Sequence, residues 1–323
     1  MDFNQFTNLS FGDEAETKGL IEPARTLVYG PSKARKTWWS GTAAEAGFNL
    51  TILDGENNTG ILKQLSPDAQ KRVSRIPVNQ SATGSTMAAF LMLMLEYSQF
   101  IYCPATRKKM SSPSVLKDDQ LYYAVDLSLF TINDVLLVDS WTQITRDVVE
   151  DFKNLHGLDP FEGKITVKTA KGSEDLFAFF NYCNLVLDPI ASQLNSLPCN
   201  VIMTAHRDFY THTIREGASK RDETHVQVLS TSGNQAAKVP AAFGDVIYAT
   251  QANDGMTSTM STKGSPTRIS GGCRVAPAEH KFPPWGYGDY AKEAGLPKPT
   301  PRDPNTLPPI CILTGAMIKE LVG

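Results

Sequence analysis

Five short apolar segments, each ending in glycine or polar residues, constrain the fold of this 323-residue chain more than any other feature. In chain order they read TLVYG (26–30), NLTILDGE (49–56), DVLLVDS (134–140), NVIMTAH (200–206) and DVIYAT (245–250). Continuous apolar runs of this length predict buried strands. The first is followed by KTWWSGTAAEAG, whose pattern predicts a helix that ends at Gly47. Strands that alternate with helices predict an α/β fold, with a mostly parallel sheet and helices on both faces.

The segments outside this pattern divide the chain into regions. Residues 1–24 are predicted to be a loosely structured N-terminal arm, and residues 25–275 the α/β core, with a polar insertion or hairpin at about 101–130. Residues 276–323 are predicted to be a C-terminal extension, which is proline-rich and extended over 276–309 and ends in a strand and a short helix. Further helices are predicted around 86–97, over 141–157 and over 175–197, the last kinked or divided by Pro189.

Composition and charge exclude several classes of protein. The net charge of -3 and the pI of about 6.0 exclude a basic footprint for nucleic acid over the whole surface, so any such contact must come from local loops. The five cysteines form no C-x-x-C pair, which argues against a disulfide framework or a zinc site and favours a reducing cytosol. The acidic N-terminus is not a signal peptide, and the longest apolar stretch, MAAFLMLML (87–95), is too short to span a bilayer. A cytoplasmic protein without a membrane partner is expected.

The segment GPSKARKT (30–37) joins the first predicted strand to the first helix. It matches the phosphate-loop pattern G-x-x-x-x-G-K-[ST] except at the second glycine, where it has Arg35. The strand and helix around it favour a phosphate site over a chance match, because free N–H groups at a helix N-terminus bind anions. Lys36 would reach the phosphates and the Thr37 hydroxyl would bind Mg²⁺. The predicted nucleotide-binding residues are Gly30, Pro31, Ser32, Lys33, Ala34, Arg35, Lys36, Thr37 and Trp38.

Arg35 is the departure from the phosphate-loop pattern. If it has a helical φ, its side chain points away from the backbone cradle and places a cation near the phosphates or a neighbouring subunit. The alternative is that Arg35 and Lys33 are solvated loop charges that slightly favour anions.

Polar residues at three other strand ends supply further site candidates. Asp139 would hold Mg²⁺ opposite Thr37, although Asp and Ser are also ordinary helix N-caps. Glu56 would orient and deprotonate the attacking water, although D-G-E is also a common turn. His206 would bond the γ phosphate and report its loss to the following loop, although a half-exposed loop histidine is the better explanation of a single histidine taken alone.

The ordered set GPSKARKT, LTILDGE, LLVDSWTQI and VIMTAH resembles the RecA-like P-loop ATPases, and among them the small bacteriophage proteins of the single-strand annealing and recombination type. The resemblance covers roughly residues 23–250. It implies ATP and Mg²⁺ as cofactors, Lys36, Glu56 and His206 as catalytic residues, and Thr37 and Asp139 as metal ligands. The family often has Gln at the position of His206.

The resemblance also implies two DNA-contacting loops, at 158–174 and 207–238. The candidate DNA-binding residues are Lys164, Lys168, Lys171, Arg207, Phe209, Tyr210, Arg215, Lys220 and Arg221. Acidic residues in both loops nearly cancel these cations, so a subunit-contact role remains the alternative.

The partners that the resemblance implies are single-stranded DNA, further copies of the chain in a ring or filament, and a single-strand binding protein. In such assemblies a cation of one subunit completes the site of its neighbour, and Lys238, Arg274 and Lys281 are the candidates. The N-terminal arm and the proline-rich segment would make assembly contacts, or would be disordered ends.

Two functions therefore follow from the sequence. The first is an ATP-hydrolysing protein that acts on single-stranded DNA in phage recombination or replication. The second is a nucleotide-binding assembly or scaffold protein with weak or no hydrolysis and no DNA role, which Arg35 favours. A small-molecule phosphotransferase ranks last, because no lid or acceptor site is evident.

Overall fold

A computed structural model describes residues 22–57, 59–78, 87–159, 165, 167–168, 174–216, 219–265, 268, 272–303 and 306–322. The predicted N-terminal arm lies almost wholly outside these residues. The strands are β1 Arg25–Gly30, β2 Asn49–Asp54, β3 Val73–Pro77, β4 Gln99–Cys103, β5 Lys108–Lys109, β6 Leu121–Asp126, β7 Asp134–Asp139, β8 Val167–Lys168, β9 Glu174–Asp175, β10 Asn200–Glu216, β11 Ser219–Val228, β12 Asp245–Gln251, β13 Ser258–Ser261, β14 Glu279–Phe282 and β15 Ile310–Thr314. The helices are α1 Lys36–Glu45, α2 Pro67–Gln70, α3 Met87–Glu96, α4 Trp141–Leu155, α5 Phe177–Leu194, α6 Gly233–Ala241, α7 Tyr287–Glu293 and α8 Gly315–Val322.

The central sheet has the strand order β14-β13-β12-β1-β10-β7-β2-β3. The strands from β12 to β3 are parallel, and β13 and β14 add an antiparallel edge. The predicted α/β fold with a mostly parallel sheet is confirmed. Because β10 lies between β1 and β7, the carboxyl ends of the strands that carry Gly30, His206, Asp139 and Asp54 are neighbours, with Gly30 paired to His206 and Asp54 to Asp139. In parallel sheets this edge is where ligands bind.

Helices cover both faces of the central sheet. Val28 and Leu137 point to the face that α1 and α7 cover, and Leu27 and Leu136 point to the face that α3, α4 and α5 cover. Successive side chains of a strand point to opposite faces, so strands buried on both sides need the continuous apolar runs seen in the sequence. Among the described residues, no helix is both long and apolar enough to cross a membrane.

The sequence predicted that the proline-rich segment is extended. The structure differs, because part of this segment packs on α1. The indole rings of Trp285 and Trp39 lie 5.8 Å apart between centroids. The Tyr287 N–H donates to the Thr42 hydroxyl at 2.7 Å, and the Thr26 hydroxyl donates to the Tyr290 hydroxyl at 3.0 Å. These aromatic side chains bury a large apolar area against α1 and β1. Residues 279–293 therefore help to fix α1.

The polar segment at 101–130 belongs to a second, antiparallel sheet of order β15-β6-β4-β5. Its strand β6 pairs with β15 near the end of the chain, with Val125 opposite Ile310. The predicted insertion and the C-terminal strand therefore form one unit, which α8 covers.

The loop predicted over 207–238 is instead a β-hairpin followed by α6. Strand β10 continues past His206 to Glu216 and pairs with β11, with Phe209 opposite Val226 and Thr213 opposite Asp222. β-branched and aromatic residues recur through 209–214, and they favour a strand over an open loop. Of the other predicted DNA loop, 158–174, most residues lie outside the described part of the chain, and β8 pairs with β9 across it.

Candidate nucleotide-binding site

The loop between β1 and α1 has a tight, left-handed course. A Cβ at Gly30 would lie 2.0 Å from the Ala249 carbonyl oxygen, so glycine is needed there for the close approach of β12. Lys33 and Arg35 have φ values of 64° and 59°. The condition of a helical φ, under which the Arg35 side chain would point away from the backbone cradle, is therefore not met, since its conformation is the left-handed one that the usual glycine adopts without strain.

The Arg35 side chain joins the β1–α1 loop to the turn between β12 and β13. Its Nη2 donates to the Gly255 carbonyl at 3.0 Å, and its guanidinium lies 4.8 Å from the centre of the Trp38 ring. Gly255 from this turn and Gln251 at the end of β12 line the same cavity as Arg35. Arg35 therefore fixes one wall of the cavity.

The Lys36 ammonium is buried within the loop. Its Nζ donates to the carbonyl oxygens of Gly30 and Pro31, at 3.2 and 2.8 Å. Burial lowers its pKa to about 8, although Asp139 and Glu56 oppose the shift. A buried cation at the start of a helix is well placed to attract an anion, because few water molecules screen it.

Thr37 and Asp139, the two residues predicted to bind Mg²⁺, are adjacent. The Thr37 hydroxyl donates to Asp139 Oδ2 at 2.9 Å, and the Thr204 hydroxyl bonds Asp139 Oδ1. Burial raises the pKa of Asp139, because the charged form of the carboxyl loses contact with water. A cation bound beside Asp139 would oppose this shift and stabilise the charged form. Among the described residues, no cluster of three or more His, Cys, Asp or Glu side chains is placed to hold a metal. One carboxylate and one hydroxyl fit Mg²⁺ bound together with substrate phosphates.

Glu56, Ser140 and His206 form a polar group at the ends of β2, β7 and the core part of β10. The Ser140 hydroxyl donates to Glu56 Oε1, and His206 Nε2 lies 3.6 Å from the same oxygen. The neighbouring His206 imidazole is the main cause that lowers the pKa of Glu56, with Ser140 and Lys36 contributing. Glu56 is therefore an ionised carboxylate at neutral pH, which suits a group that accepts a hydrogen bond from water.

Arg75 supports the segment that carries Glu56, a role that the sequence analysis missed. It bonds the buried Asp54 carboxylate at 2.6 Å, and its Nη2 donates to Asn57 Oδ1 at 2.9 Å. Asn57 has a φ of 55°. Arg75 thus holds the residues on both sides of the Gly55–Glu56 pair. No motif indicates this, since the contact depends on the pairing of β2 with β3.

The sequence analysis also missed Thr204, whose hydroxyl bonds Asp139. This residue could have been predicted, because it lies two residues before His206 on the same strand and so points to the same face of the sheet.

A cavity of about 460 Å³ lies between the β1–α1 loop and the polar group of Glu56, Ser140 and His206. Its lining comprises Ser32, Lys33, Arg35, Lys36, Thr37, Trp38, Glu56, Asp139, Ser140, Thr204, His206, Gln251 and Gly255. The predicted residues Gly30, Pro31 and Ala34 belong to the loop but are not in the lining, and Ala34 is buried in the core.

The candidate DNA-binding residues are only partly brought together. Phe209 and Tyr210 on the hairpin are 56% and 45% exposed, and Lys220 is exposed. The Arg207 guanidinium instead donates to the Tyr248 hydroxyl at 2.7 Å, and Arg221 pairs with Glu223. Lys164, Lys171 and the side chains of Lys168 and Arg215 lie outside the described part of the structure.

The three candidate trans-acting cations differ in their surroundings. Arg274 pairs with the buried Asp245 at 3.2 Å and donates to the carbonyl oxygens of Glu22 and Pro23. Lys238 pairs with Asp188 at 2.9 Å, and Lys281 is exposed on the edge strand β14. Arg274 therefore has an internal structural role.

Comparisons with known proteins add little to this description. No protein-family model matches the chain, and no curated protein matches it. Among solved structures, the crystal structure of the RadB recombinase is similar, with 13% sequence identity over 76% of this chain and 84% of that chain and a TM-score of 0.35. A likeness at this level carries no weight beside the topology and the site geometry.

Proposed function

We propose that this chain is a RecA-like ATPase that binds ATP with Mg²⁺ in the 460 Å³ cavity and hydrolyses it. The observation that carries the proposal is the meeting of the phosphate-loop residues Lys36 and Thr37 with Asp139, Glu56 and His206 from three other strands. Residues from four separate segments converge on one cavity at the ligand-binding edge of a parallel sheet.

Each residue has a definite part in the proposed reaction. Lys36 would bind the terminal phosphates, and Thr37 and Asp139 would hold Mg²⁺, which would supply positive charge beside the phosphate oxygens. Glu56, kept ionised and oriented by Ser140 and His206, positions the attacking water.

His206 connects the proposed reaction to the β10–β11 hairpin. The backbone N–H of His206 donates to the Thr142 hydroxyl at 2.8 Å, and its backbone carbonyl accepts from the Leu229 N–H at 2.8 Å. Both backbone groups of His206 are therefore fixed. A change in the Glu56–His206 contact would act on the strand that bears Phe209 and Tyr210. We infer that this hairpin binds single-stranded DNA by stacking bases on those rings. A role in phage recombination or replication, assembly into a ring or filament and contact with a single-strand binding protein belong to the same proposal.

The alternative is a nucleotide-binding scaffold protein with weak or no hydrolysis. The observation that favours it is Arg35, which adopts a left-handed conformation where glycine would be unstrained. On that reading the strain is retained because Arg35 fixes the Gly255 turn for assembly.

ATP hydrolysis and binding of a fluorescent ATP analogue, with and without single-stranded DNA, test the proposal. Glu56→Gln should lower turnover by about a hundredfold or more and leave ATP binding intact, whereas Lys36→Ala should lose both. Lys63→Ala, at an exposed lysine outside the cavity, is the control. Hydrolysis that Glu56→Gln does not reduce would refute the catalytic assignment. Absence of DNA binding by the unsubstituted protein would refute the DNA role alone.

A further inference from the structure

An open groove of about 790 Å³ lies between α3, the last turns of α5 and the β4–β5 turn. It shares no lining residue with the nucleotide cavity. Its floor is apolar and includes Met92, Leu93 and Leu95 from α3 and Pro189 from α5. Met92 is 37% exposed. Apolar surface of this kind, rimmed by polar residues, is typical of an interaction site.

The composition of α3 indicates that the groove is covered. The helix reads MAAFLMLMLE, and its core-facing residues are Met87, Ala88, Phe90, Leu91 and Met94. The exposed Met92 on its outer face, and Leu93 and Leu95, which are half-buried against the core, are also apolar and line the groove. A helix that is apolar all round is normally buried all round. The outer face of α3 around Met92 therefore favours a partner segment.

The rim of the groove is basic. Arg107 from the β4–β5 turn and Lys108 and Lys109 from β5 lie on it, and Glu96 is the acidic residue of the lining. Three cations against one carboxylate favour a negatively charged occupant. The occupant that fits has apolar side chains for the floor and carboxylates for the rim.

Residues 1–21 of the chain have this chemistry. Phe3, Phe6 and Leu9 recur at intervals of three residues. The same segment carries four carboxylates, Asp2, Asp13, Glu14 and Glu16, against the single cation Lys18.

Arg25, three residues after the start of the described chain, reaches the segment that follows the α5 end of the groove. The Arg25 guanidinium donates to the carbonyl of Asn195 at 2.9 Å, and Asn195 follows α5 directly. Gln193, two residues earlier, lines the groove. The preceding 21 residues can span about 70 Å when extended, so they reach the groove of their own chain easily.

We propose that residues 1–21 dock in this groove of the same chain, with their aromatic side chains on α3 and their carboxylates beside the β4–β5 cations. The N-terminal segment then covers the outer face of α3, and its release would expose a basic and apolar surface. The proposal is independent of ATP binding and hydrolysis.

Photo-crosslinking of the full chain tests this docking. A benzophenone amino acid replaces Phe6, and the crosslinked peptides are mapped by mass spectrometry after irradiation. We expect crosslinks to the groove, above all to Met92, in protein of monomer mass and at a yield that does not depend on protein concentration. Crosslinks only between two chains, crosslinks outside the groove, or no crosslink would each overturn the proposal.

Charge variants in the same assay separate docking from chance proximity. Lys108→Glu with Lys109→Glu should lower the docking equilibrium about tenfold, from about threefold for each exposed charge. Lys63→Glu, on an exposed lysine outside the groove, should leave the yield unchanged, and thermal melting checks that each variant folds. Equal yields for the groove variant and the control would also overturn the proposal.

Discussion

Substitution of Arg35 by glycine and by alanine separates its backbone from its side chain. Arg35 has φ 59° and ψ 25°, a conformation that costs a residue with a Cβ about 1 kcal/mol. Its side chain bonds the Gly255 carbonyl and lies over Trp38. Both substitutions remove these contacts, but only glycine relieves the backbone strain. We therefore expect Arg35→Gly to be more stable than Arg35→Ala by about 1 kcal/mol.

The magnitudes relative to the unsubstituted chain follow from the same contacts. Arg35→Ala loses one exposed hydrogen bond and one cation–π contact, together about 1 to 1.5 kcal/mol of the free energy of unfolding. Arg35→Gly regains about 1 kcal/mol of this through its backbone. It should therefore lie within about 0.5 kcal/mol of the unsubstituted chain.

Urea unfolding followed by tryptophan fluorescence measures these differences. Lys33 provides a matched control, because it is exposed and also left-handed, with φ 64°. Lys33→Gly should exceed Lys33→Ala in stability by a similar amount. If Arg35→Ala is as stable as Arg35→Gly while the Lys33 pair differs, Arg35 is not left-handed and the description of the loop fails.

Nucleotide binding by the same variants shows what Arg35 does in the site. Both Arg35 variants lose a cation and the tether to the Gly255 turn, so both should bind a fluorescent ATP analogue about three- to tenfold more weakly. Tighter binding by Arg35→Gly alone would mean that the arginine hinders the site and would contradict a supporting role.

Two other predictions concern the buried groups of the site. Because burial lowers the pKa of Lys36 to about 8, the free protein loses this proton above about pH 8 while phosphate binding favours the charged form. ATP affinity should therefore fall as pH rises, by up to about tenfold per unit, in titrations of the fluorescent analogue, and Lys36→Met should remove this dependence. A flat profile for the unsubstituted chain would contradict it. Arg75→Met should lower ATP turnover about tenfold with ATP affinity unchanged, because Glu56 loses its support from Asp54 and Asn57, and Arg75→Lys should recover part of the loss. Equal losses of affinity and turnover would point to a general structural defect instead.

Much of the fold could be predicted from the sequence because its signals are local. The strands that end near Gly30, Asp54, Asp139 and His206 are continuous apolar runs, and such runs form strands buried on both faces wherever they lie in the sheet. Parallel strands of one sheet present their carboxyl ends at one edge. The sequence could therefore predict that the polar residues at these strand ends lie near one another. They are Lys36, Thr37, Asp139, Glu56 and His206, and they line one cavity.

The contacts that complete the site depend on pairings between distant segments. Arg35 has a left-handed backbone conformation, and its side chain reaches Gly255, 220 residues further along the chain. Arg75 supports Glu56 because β3 pairs beside β2, and the strand continuing past His206 is fixed by β11. Short motifs carry no information on such pairings.

The sequence by itself determined the parallel strands, their polar ends and the tight loop at residues 30–37, because hydrophobic period and turn chemistry act over a few residues. Only the tertiary structure decided the rest. It placed the proline-rich segment on α1 through Trp285 and Tyr290, and it paired β15 with β6 to complete the second sheet. These arrangements bury apolar surface between segments far apart in the chain. Burial is non-directional, so its partners are chosen by the whole packed fold and not by any local pattern.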